Sequence, residues 1–570
     1  TRTRAIVALS KIDHDAVVPL CRALQHPEPS VAIGVIGVLR KVRDPAAIPS
    51  LNRLAQTTSD LIIRQEAEAA VKALGGSSQS AYDALVEQAA RFYNNPNYLN
   101  PTYHDPIIWV LEGEQLKYVE VPSWALNEKR AAQLIADAIT LDRGRNEGHV
   151  LFASNNFAQY REYLGQLERV AELVERGEGE ASEADLIELR NLEEVMNFIR
   201  TSPYSLPNNI LYETLERALR ERRPEVAMET IRAIRTLLPP GRRFDTVPEV
   251  LDRAQGSDHR GVRFAASECI AFMNPRGSFP GQDRVGPNLA SGLKEAGHRL
   301  ALTVIADDDS ALQVRALLRH AQVASFNEAS AFDGVRRARS SPHDLIVLDV
   351  EMNDDSFPTA KIISILREGH LTKTVPILVL SNDERDRGIY EQQNIKVISP
   401  SIDRNRLRDE VIAPLFQDRE DARSQGTKIA ARAARAVHFL ASRDNILDLK
   451  PVYDALVVVL ENRPDSVRIP ACFAVACLSI GTAQAPLVNI FQDESSSVEL
   501  RVAALQALGE VNRGKGSVSA VVEEIFLDAF DSSNVQIKTA AARAMGVVGN
   551  HWPNLSPSVV PAIHKQDDGG

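Results

Sequence analysis

Apolar positions along this chain follow three rhythms. Over most of its length a polar turn is followed by Val or Ile and then by an Ala-rich stretch with apolar residues three and four apart. That is the period of a helix buried along one side. The stretches 30–39, 61–74, 261–273, 498–511 and 535–548 share this design, and weaker helical patterns at 46–55, 247–254, 484–491 and 519–530 precede four of them. Between 302 and 400 the rhythm changes to short continuous apolar runs: Thr303-Val304-Ile305-Ala306, Leu345-Ile346-Val347-Leu348, Val375-Pro376-Ile377-Leu378-Val379-Leu380 and Lys396-Val397-Ile398. Helical patterns at 311–319, 328–339 and 359–367 alternate with these runs, and such alternation predicts a parallel sheet covered on both faces. The third rhythm lies between Ser77 and about Gln166. There a helix at 81–92 precedes two alternating runs, 106–111 and 115–121, around Glu112-Gly113-Glu114, which predicts a β-hairpin. Helices at 124–141 and 149–164 follow.

The repeated helices resemble HEAT repeats, on the copies Asp258-His259-Arg260-Gly261-Val262-Arg263-Phe264-Ala265-Ala266, Ser497-Val498-Glu499-Leu500-Arg501-Val502-Ala503-Ala504 and Asn534-Val535-Gln536-Ile537-Lys538-Thr539-Ala540-Ala541. The resemblance implies an α-solenoid, in which each helix pair buries its apolar face only by stacking on neighbours. It also makes Arg263, Arg501 and Lys538 packing residues that reach back toward the preceding turn. The 131–142 stretch and its neighbouring helix resemble a tetratricopeptide-like helical pair, with Trp109, Tyr118 and Trp124 expected as core where the hairpin covers it; a peptide groove is the other reading of these aromatics.

In a parallel sheet ligands collect beyond the carboxyl ends of the strands. Asp307, Asp308, Asp349 and Ser381 each follow such an end. The 302–400 segment resembles the receiver domains of two-component response regulators, which have a flavodoxin-like fold. The resemblance implies Mg²⁺ held by Asp307, Asp308 and Asp349, a phosphoacceptor at Asp349 and a phosphoryl-binding hydroxyl at Ser381. A hard cation with oxygen ligands would offset the charge that builds when a carboxylate attacks phosphorus. The chain departs from the family pattern in three places. The family's lysine before proline is replaced by Ser399 before Pro400, no aromatic stands near Lys396, and Met352 is followed by Asn353 instead of proline. Lys396 lies three residues early, which on a strand reverses the face and moves the side chain about 10 Å. The resemblance therefore implies a receiver-like domain that does not complete the phosphorylation switch. Two readings of its carboxylates stay open: a Mg²⁺-binding or raised-pKa cluster, and polar strand ends on an inherited fold.

Glycine and proline at Gly277, Pro280, Gly281, Gly286 and Pro287 predict a linker over 276–288, and 417–425 predicts another. A polar acidic loop is expected at Gly177-Glu178-Gly179-Glu180-Ala181-Ser182-Glu183, and a frayed tail at Asp567-Asp568-Gly569-Gly570. The expected division is HEAT-like repeats over 1–76, a tetratricopeptide-like module with a hairpin over 77–170, HEAT-like repeats and linker over 171–290, the receiver-like domain over 291–417, and HEAT-like repeats over 418–570. This order resembles bacterial proteins in which HEAT arrays surround a degenerate receiver domain. The fold class is thus mainly α, an α-solenoid of HEAT/ARM type flanking an inserted flavodoxin-like α/β domain.

Composition narrows the function. A length of 570 residues suits about three to four domains. A net charge of −11 argues against a general nucleic-acid binder, which needs a basic stripe for the phosphates. No apolar run approaches the roughly 20 residues of a membrane helix, so a soluble chain is expected. Cys21, Cys269, Cys472 and Cys477 all lie in apolar helical patterns and are expected as reduced core thiols. The 12 histidines show no HExxH or paired spacing, so nothing supports a zinc hydrolase. The chain opens at Thr1, which leaves room for a removed leader; the receiver-like segment favours the cytoplasm. The reading that results is a non-catalytic scaffold that binds other proteins, up to a large assembly, with no cofactor required. The alternative is a signalling protein phosphorylated at Asp349 with Mg²⁺.

Overall fold

The computed structural model describes residues 16–77, 80–94, 107–121, 125–175, 194, 197–199, 201–239, 241–295, 299–321, 323–340, 343–350, 358–368, 372, 375–393, 395–416, 425–461, 463–515 and 518–549. The loop at 177–183, Trp124, Met352-Asn353, the 417–424 linker and the tail beyond 549 lie outside the described residues. The chain divides into two compact units, Thr1–Thr230 and Ile231–Gly570.

In the first unit, helices Pro29–Val42, Ile48–Thr57 and Leu61–Ala73 stack around a core that includes Ile36, Leu39, Leu51 and Ala67. The Asp60 carboxylate starts the last of them by accepting from the N–H groups of Ile62 and Ile63, which satisfies donors that a helix end otherwise leaves orphaned. Helix Ala81–Tyr93 packs on Leu126–Leu141, and Asn146–Glu175 packs on that helix and on Asn208–Arg220. Asp137 ties this module to the first repeat, accepting from Arg22 at 2.7 Å and Arg53 at 3.1 Å. Strands β1 (Ile107–Glu112) and β2 (Gln115–Glu120) pair antiparallel with Glu112 opposite Gln115, and Gly113 takes the positive φ the two-residue turn requires. The hairpin corrects one expectation: Tyr118 is 60% exposed and meets Trp109 only edge to face at 6.0 Å, so it is no core residue.

In the second unit the long helices Arg260–Met273, Gln425–Ala441, Asp465–Leu478, Val498–Val511 and Val535–Val548 lie side by side as one ladder of inner helices. Shorter helices such as Gln484–Gln492 and Ala520–Asp531 back it. Small residues set the spacing. A Cβ placed on Gly509 would come within 2.7 Å of Ala544 Cα, so the last two inner helices meet almost backbone to backbone.

The stretch expected as a linker before the sheet is instead a helix, Gln282–Lys294, with Pro287 inside it. Gly286 and Gly292 are there for close approach rather than flexibility: a Cβ on Gly286 would clash with the Asp448 carbonyl, and one on Gly292 would meet Ala433 Cβ at 3.2 Å. Asn274 and Gln282 donate to the carbonyls of Asp444 and Ile446 at 3.1 and 2.9 Å. The helices on either side of the sheet segment therefore pack directly on one another, and the array runs on beneath it.

The sheet holds β3 (Arg299–Val304), β4 (Val323–Glu328), β5 (Leu345–Asp349), β6 (Ile377–Leu380) and β7 (Lys396–Ile398), paired in parallel in the order β4-β3-β5-β6-β7. β5 and β6 are buried on both faces, as a covered parallel sheet requires. Helices Asp308–His320, Ala331–Ser340, Thr359–Glu368 and Glu384–Glu391 follow the first four strands, and a helical stretch over 404–415, whose Leu407–Ile412 part is wound as a π-helix, follows the last.

Of the four cysteines, all free, Cys269 and Cys472 are buried, and burial pushes both thiols up to about 12. Cys477, expected in the core, is exposed.

Candidate functional site

The carboxyl edge of the sheet gathers the residues singled out from sequence. Leu348 is level with Val304, and Asp349 with Leu380, so Asp307, Asp308, Asp349 and Ser381 follow three adjacent strands on the same side. Each has a local role. Asp307 is exposed and caps helix Asp308–His320, its Oδ2 accepting from the Ser310 N–H at 2.8 Å. That bond holds its carboxyl below the usual range. Asp308 and Asp309 sit in the first turn, where the helix dipole favours negative charge. Asp349, half-buried, ends β5, and the Thr359 hydroxyl lies 3.4 Å from its carbonyl.

The Ser381 hydroxyl donates to Asp386 Oδ2 at 2.6 Å and accepts from the Asp383 N–H at 3.0 Å. Ser399 donates to Asn382 Oδ1 at 2.7 Å. The Lys396 ammonium donates to the Glu410 carbonyl at 2.6 Å, at the amino end of β7 and away from the carboxyl edge. Asp386 and Asn382 are partners that sequence reasoning missed; the only signal for Asp386 was its position in the first turn of the next helix. Among the described residues no group of three or more His, Cys, Asp or Glu side chains is placed to hold a metal ion. With Asp307 turned into its helix cap, Asp307, Asp308 and Asp349 are not placed together as a ligand set for Mg²⁺ among the described residues.

The inner-helix ladder uses its polar residues differently. The fourth residue of each inner helix is basic, and in three of the five it returns to the element behind it. Arg263 Nη1 donates to the carbonyls of Ser257 at 2.6 Å and Asp258 at 3.1 Å, and Arg501 Nε donates to that of Phe491 at 3.0 Å. Lys538 stands 5.6 Å from the centre of the Phe530 ring. In the first unit Arg64 does the same to the Thr58 carbonyl at 2.9 Å. These contacts bind Arg64, Arg263, Arg501 and Lys538 into the packing of one helix against the next.

Residues 1–72 match the family model for HEAT repeats. The sequence matches no curated protein. Among solved structures the chain is similar to the karyopherin Kap121p at 11% identity and a TM-score of 0.25, over 96% of this chain and 46% of that one. It is similar to Uso1-2 at 12% identity and a TM-score of 0.21, over 97% of this chain and 75% of that one. The chain spans about half the length of Kap121p. No helix among the described residues is long and apolar enough to cross a membrane.

Proposed function

We propose that the protein is a non-catalytic scaffold that binds other proteins through its helical array and carries a pseudo-receiver. One observation carries this reading: the ladder of inner helices from Arg260 to Val548 continues without a break beneath the sheet segment, so the chain invests its length in one repeat surface. The strand order β4-β3-β5-β6-β7 is that of flavodoxin-like sheets and supports the receiver-like assignment. The domain division proposed is the one read from sequence, with the start of the sheet domain moved to about 295 because Gln282–Lys294 packs with the array. A cytoplasmic setting belongs to the same proposal.

The second reading, phosphorylation at Asp349, is supported by the convergence of Asp349 and Ser381 on one edge. Against it stand Ser399 in place of the lysine, Lys396 committed to the Glu410 carbonyl, and Ser381 committed to Asp386. Without that lysine a phosphoryl group on Asp349 would lack the point charge that compensates it.

The test is amide exchange around Asp349 and Ser381 while Mg²⁺ is titrated into the full chain with and without beryllofluoride. The scaffold reading expects no protection at millimolar Mg²⁺. Protection that disappears in Asp349→Asn would establish the switch and make the array its output.

A further inference from the structure

The helix Gln425–Ala441 carries cations on one stripe. Lys428, Arg432, Arg435 and Phe439 are spaced four, three and four apart, so they share a face, and Arg443 continues the line just past the helix end. In a chain of net charge −11 this stripe meets the buried carboxylate of Glu268, which is 4% exposed and takes both Arg235 at 2.6 Å and Arg432 at 2.9 Å. Asp444, beyond the helix end, is occupied by Arg243 at 2.8 Å. Lys428, Arg435 and Arg443 are exposed, and none meets a carboxylate among the described residues; Arg443 Nη1 donates to the Phe439 carbonyl and the Ser442 hydroxyl.

At the carboxyl end of this stripe lies a half-buried aromatic floor that crosses three inner helices. Phe272 lies 4.7 Å from Phe439, and His438 lies 5.6 Å from Phe473. Two guanidiniums lie on this floor, Arg235 at 5.0 Å from the Phe272 ring centre and Arg443 at 3.9 Å from that of Phe439. Stacking of this kind keeps a guanidinium in place while leaving its edge to donate.

We infer that this ridge of the Arg260–Met273, Gln425–Ala441 and Asp465–Leu478 helices is a docking groove for an acidic segment of a partner protein, with carboxylates flanking an aromatic or aliphatic anchor. The inference rests on the scaffold reading and names the chemistry of its partner. Complementary charge is the argument. Exposed cations without counter-ions repel one another on one face, and carboxylates supplied in trans relieve that repulsion while the aromatic floor takes the anchor. Three neighbouring helices about 8–10 Å apart cover roughly 20 Å, which about six extended residues span. The expected motif is therefore short.

The test selects displayed random peptides on the immobilised full chain, then measures binding of the enriched sequences to three proteins: wild type, the double variant Lys428→Glu with Arg435→Glu, and Arg543→Glu. Arg543 is an exposed cation on the last inner helix, outside the groove. All three positions are exposed, so unchanged circular dichroism and melting are required of each variant. The inference expects enrichment of acidic peptides with an apolar anchor, binding weakened about tenfold or more in the double variant, a fall with added salt, and no change in Arg543→Glu. Enriched peptides that are neutral or basic, or that bind the double variant as well as wild type, overturn the acidic groove and leave the scaffold reading standing. Failure to enrich any sequence counts against both. A single-stranded oligonucleotide that displaces the peptides, and is itself lost in the double variant, reassigns the stripe to nucleic acid and overturns the proposal.

Discussion

The inner-helix ladder and the carboxyl edge of the sheet belong to one unit, yet they treat polar side chains in opposite ways. On the ladder, basic residues reach from one element to the turn behind it, as Arg263 and Arg501 do, so each bond ties a helix to its neighbour. At the sheet edge Asp307 bonds its own helix, and Ser381 and Ser399 bond Asp386 and Asn382. The difference teaches that carboxylates and hydroxyls at strand ends can be retained by capping and turn geometry alone. Polar residues at adjacent strand ends make a chemical site only where something brings them to a common point.

The comparison breaks most readily at the glycines. Gly286→Ala would drive a methyl into the Asp448 carbonyl, and Gly509→Ala would set one 2.8 Å from Ala544 Cβ. Each should cost about 2–3 kcal/mol, the range for overpacking where the opposing atoms are backbone or a neighbouring helix. Gly546 is the counterpart of Gly509 in the last described helix and has nothing within 4 Å of such a Cβ. Gly546→Ala should therefore gain up to about 1 kcal/mol from helix propensity. Urea unfolding midpoints decide it. An unchanged midpoint for Gly286→Ala would mean that the array does not run on beneath the sheet.

The same continuity makes the sheet removable. Replacing 296–424 by a short Gly/Ser linker should leave the helices from Arg260 to Val548 melting as one cooperative transition, read by circular dichroism. Two separate transitions would show that the sheet segment is needed to join the halves.

Where sheet and array touch, a histidine sharpens the contrast. His259 precedes helix Arg260–Met273, at the positive end of its dipole, with its ring 5.9 Å from that of Phe326. Arg337 covers Phe326 at 3.8 Å and pairs with Glu328, while Arg260 pairs with Glu295. Burial first, then Arg337, His343, Arg263 and Arg260, push the His259 pKa well below 6.5, and its Nδ1 has no partner. His259 is thus neutral in the folded protein. Its contribution is present in full above pH 6.5 and is lost as the pH falls below that value, because the unfolded chain takes up the proton first. The melting temperature should drop on acidification by less in His259→Gln than in wild type. Equal drops would place the acid sensitivity elsewhere.

The ladder was the legible part of the sequence. Inner helices expected at 498–511 and 535–548 match their observed bounds, since a cap, an Ala-rich face and a basic fourth residue all point the same way. β4 is hard to read because Val323-Ala324-Ser325-Phe326-Asn327-Glu328 is a half-buried edge strand with neither a continuous apolar run nor a strict polar–apolar alternation. The pattern at 328–339 predicts a helix from Glu328, which instead ends the strand, and the helix begins at Ala331. The Gln282–Lys294 helix was hidden by glycines and a proline that mark a turn in isolation. Only the neighbouring Asp448 carbonyl, far along the chain, explains Gly286. The roles of Asp307 and Ser381 were illegible for a related reason: the same residue types serve a metal, a phosphoryl group or a helix cap, and their bonding partners alone distinguish them.

The smallest effect tests the ladder's own rule. Arg501 makes two contacts with the preceding helix: its Nε donates to the Phe491 carbonyl at 3.0 Å, and its guanidinium lies 4.8 Å from the Phe491 ring centre. Lys538 holds the equivalent place one repeat later with only a ring contact, over Phe530. If the stacked cation is the part the repeat needs, Arg501→Lys keeps it and loses one hydrogen bond, while Arg501→Ala loses both. The expected costs are about 0.5 kcal/mol for lysine and about 1–1.5 kcal/mol for alanine, from a single hydrogen bond and a partly exposed cation–π contact. Lysine as costly as alanine would assign the whole effect to the carbonyl bond. Lys538 would then be a weaker copy of the arginine rather than its equal, and the repeat that holds it would fray before its neighbour in hydrogen exchange.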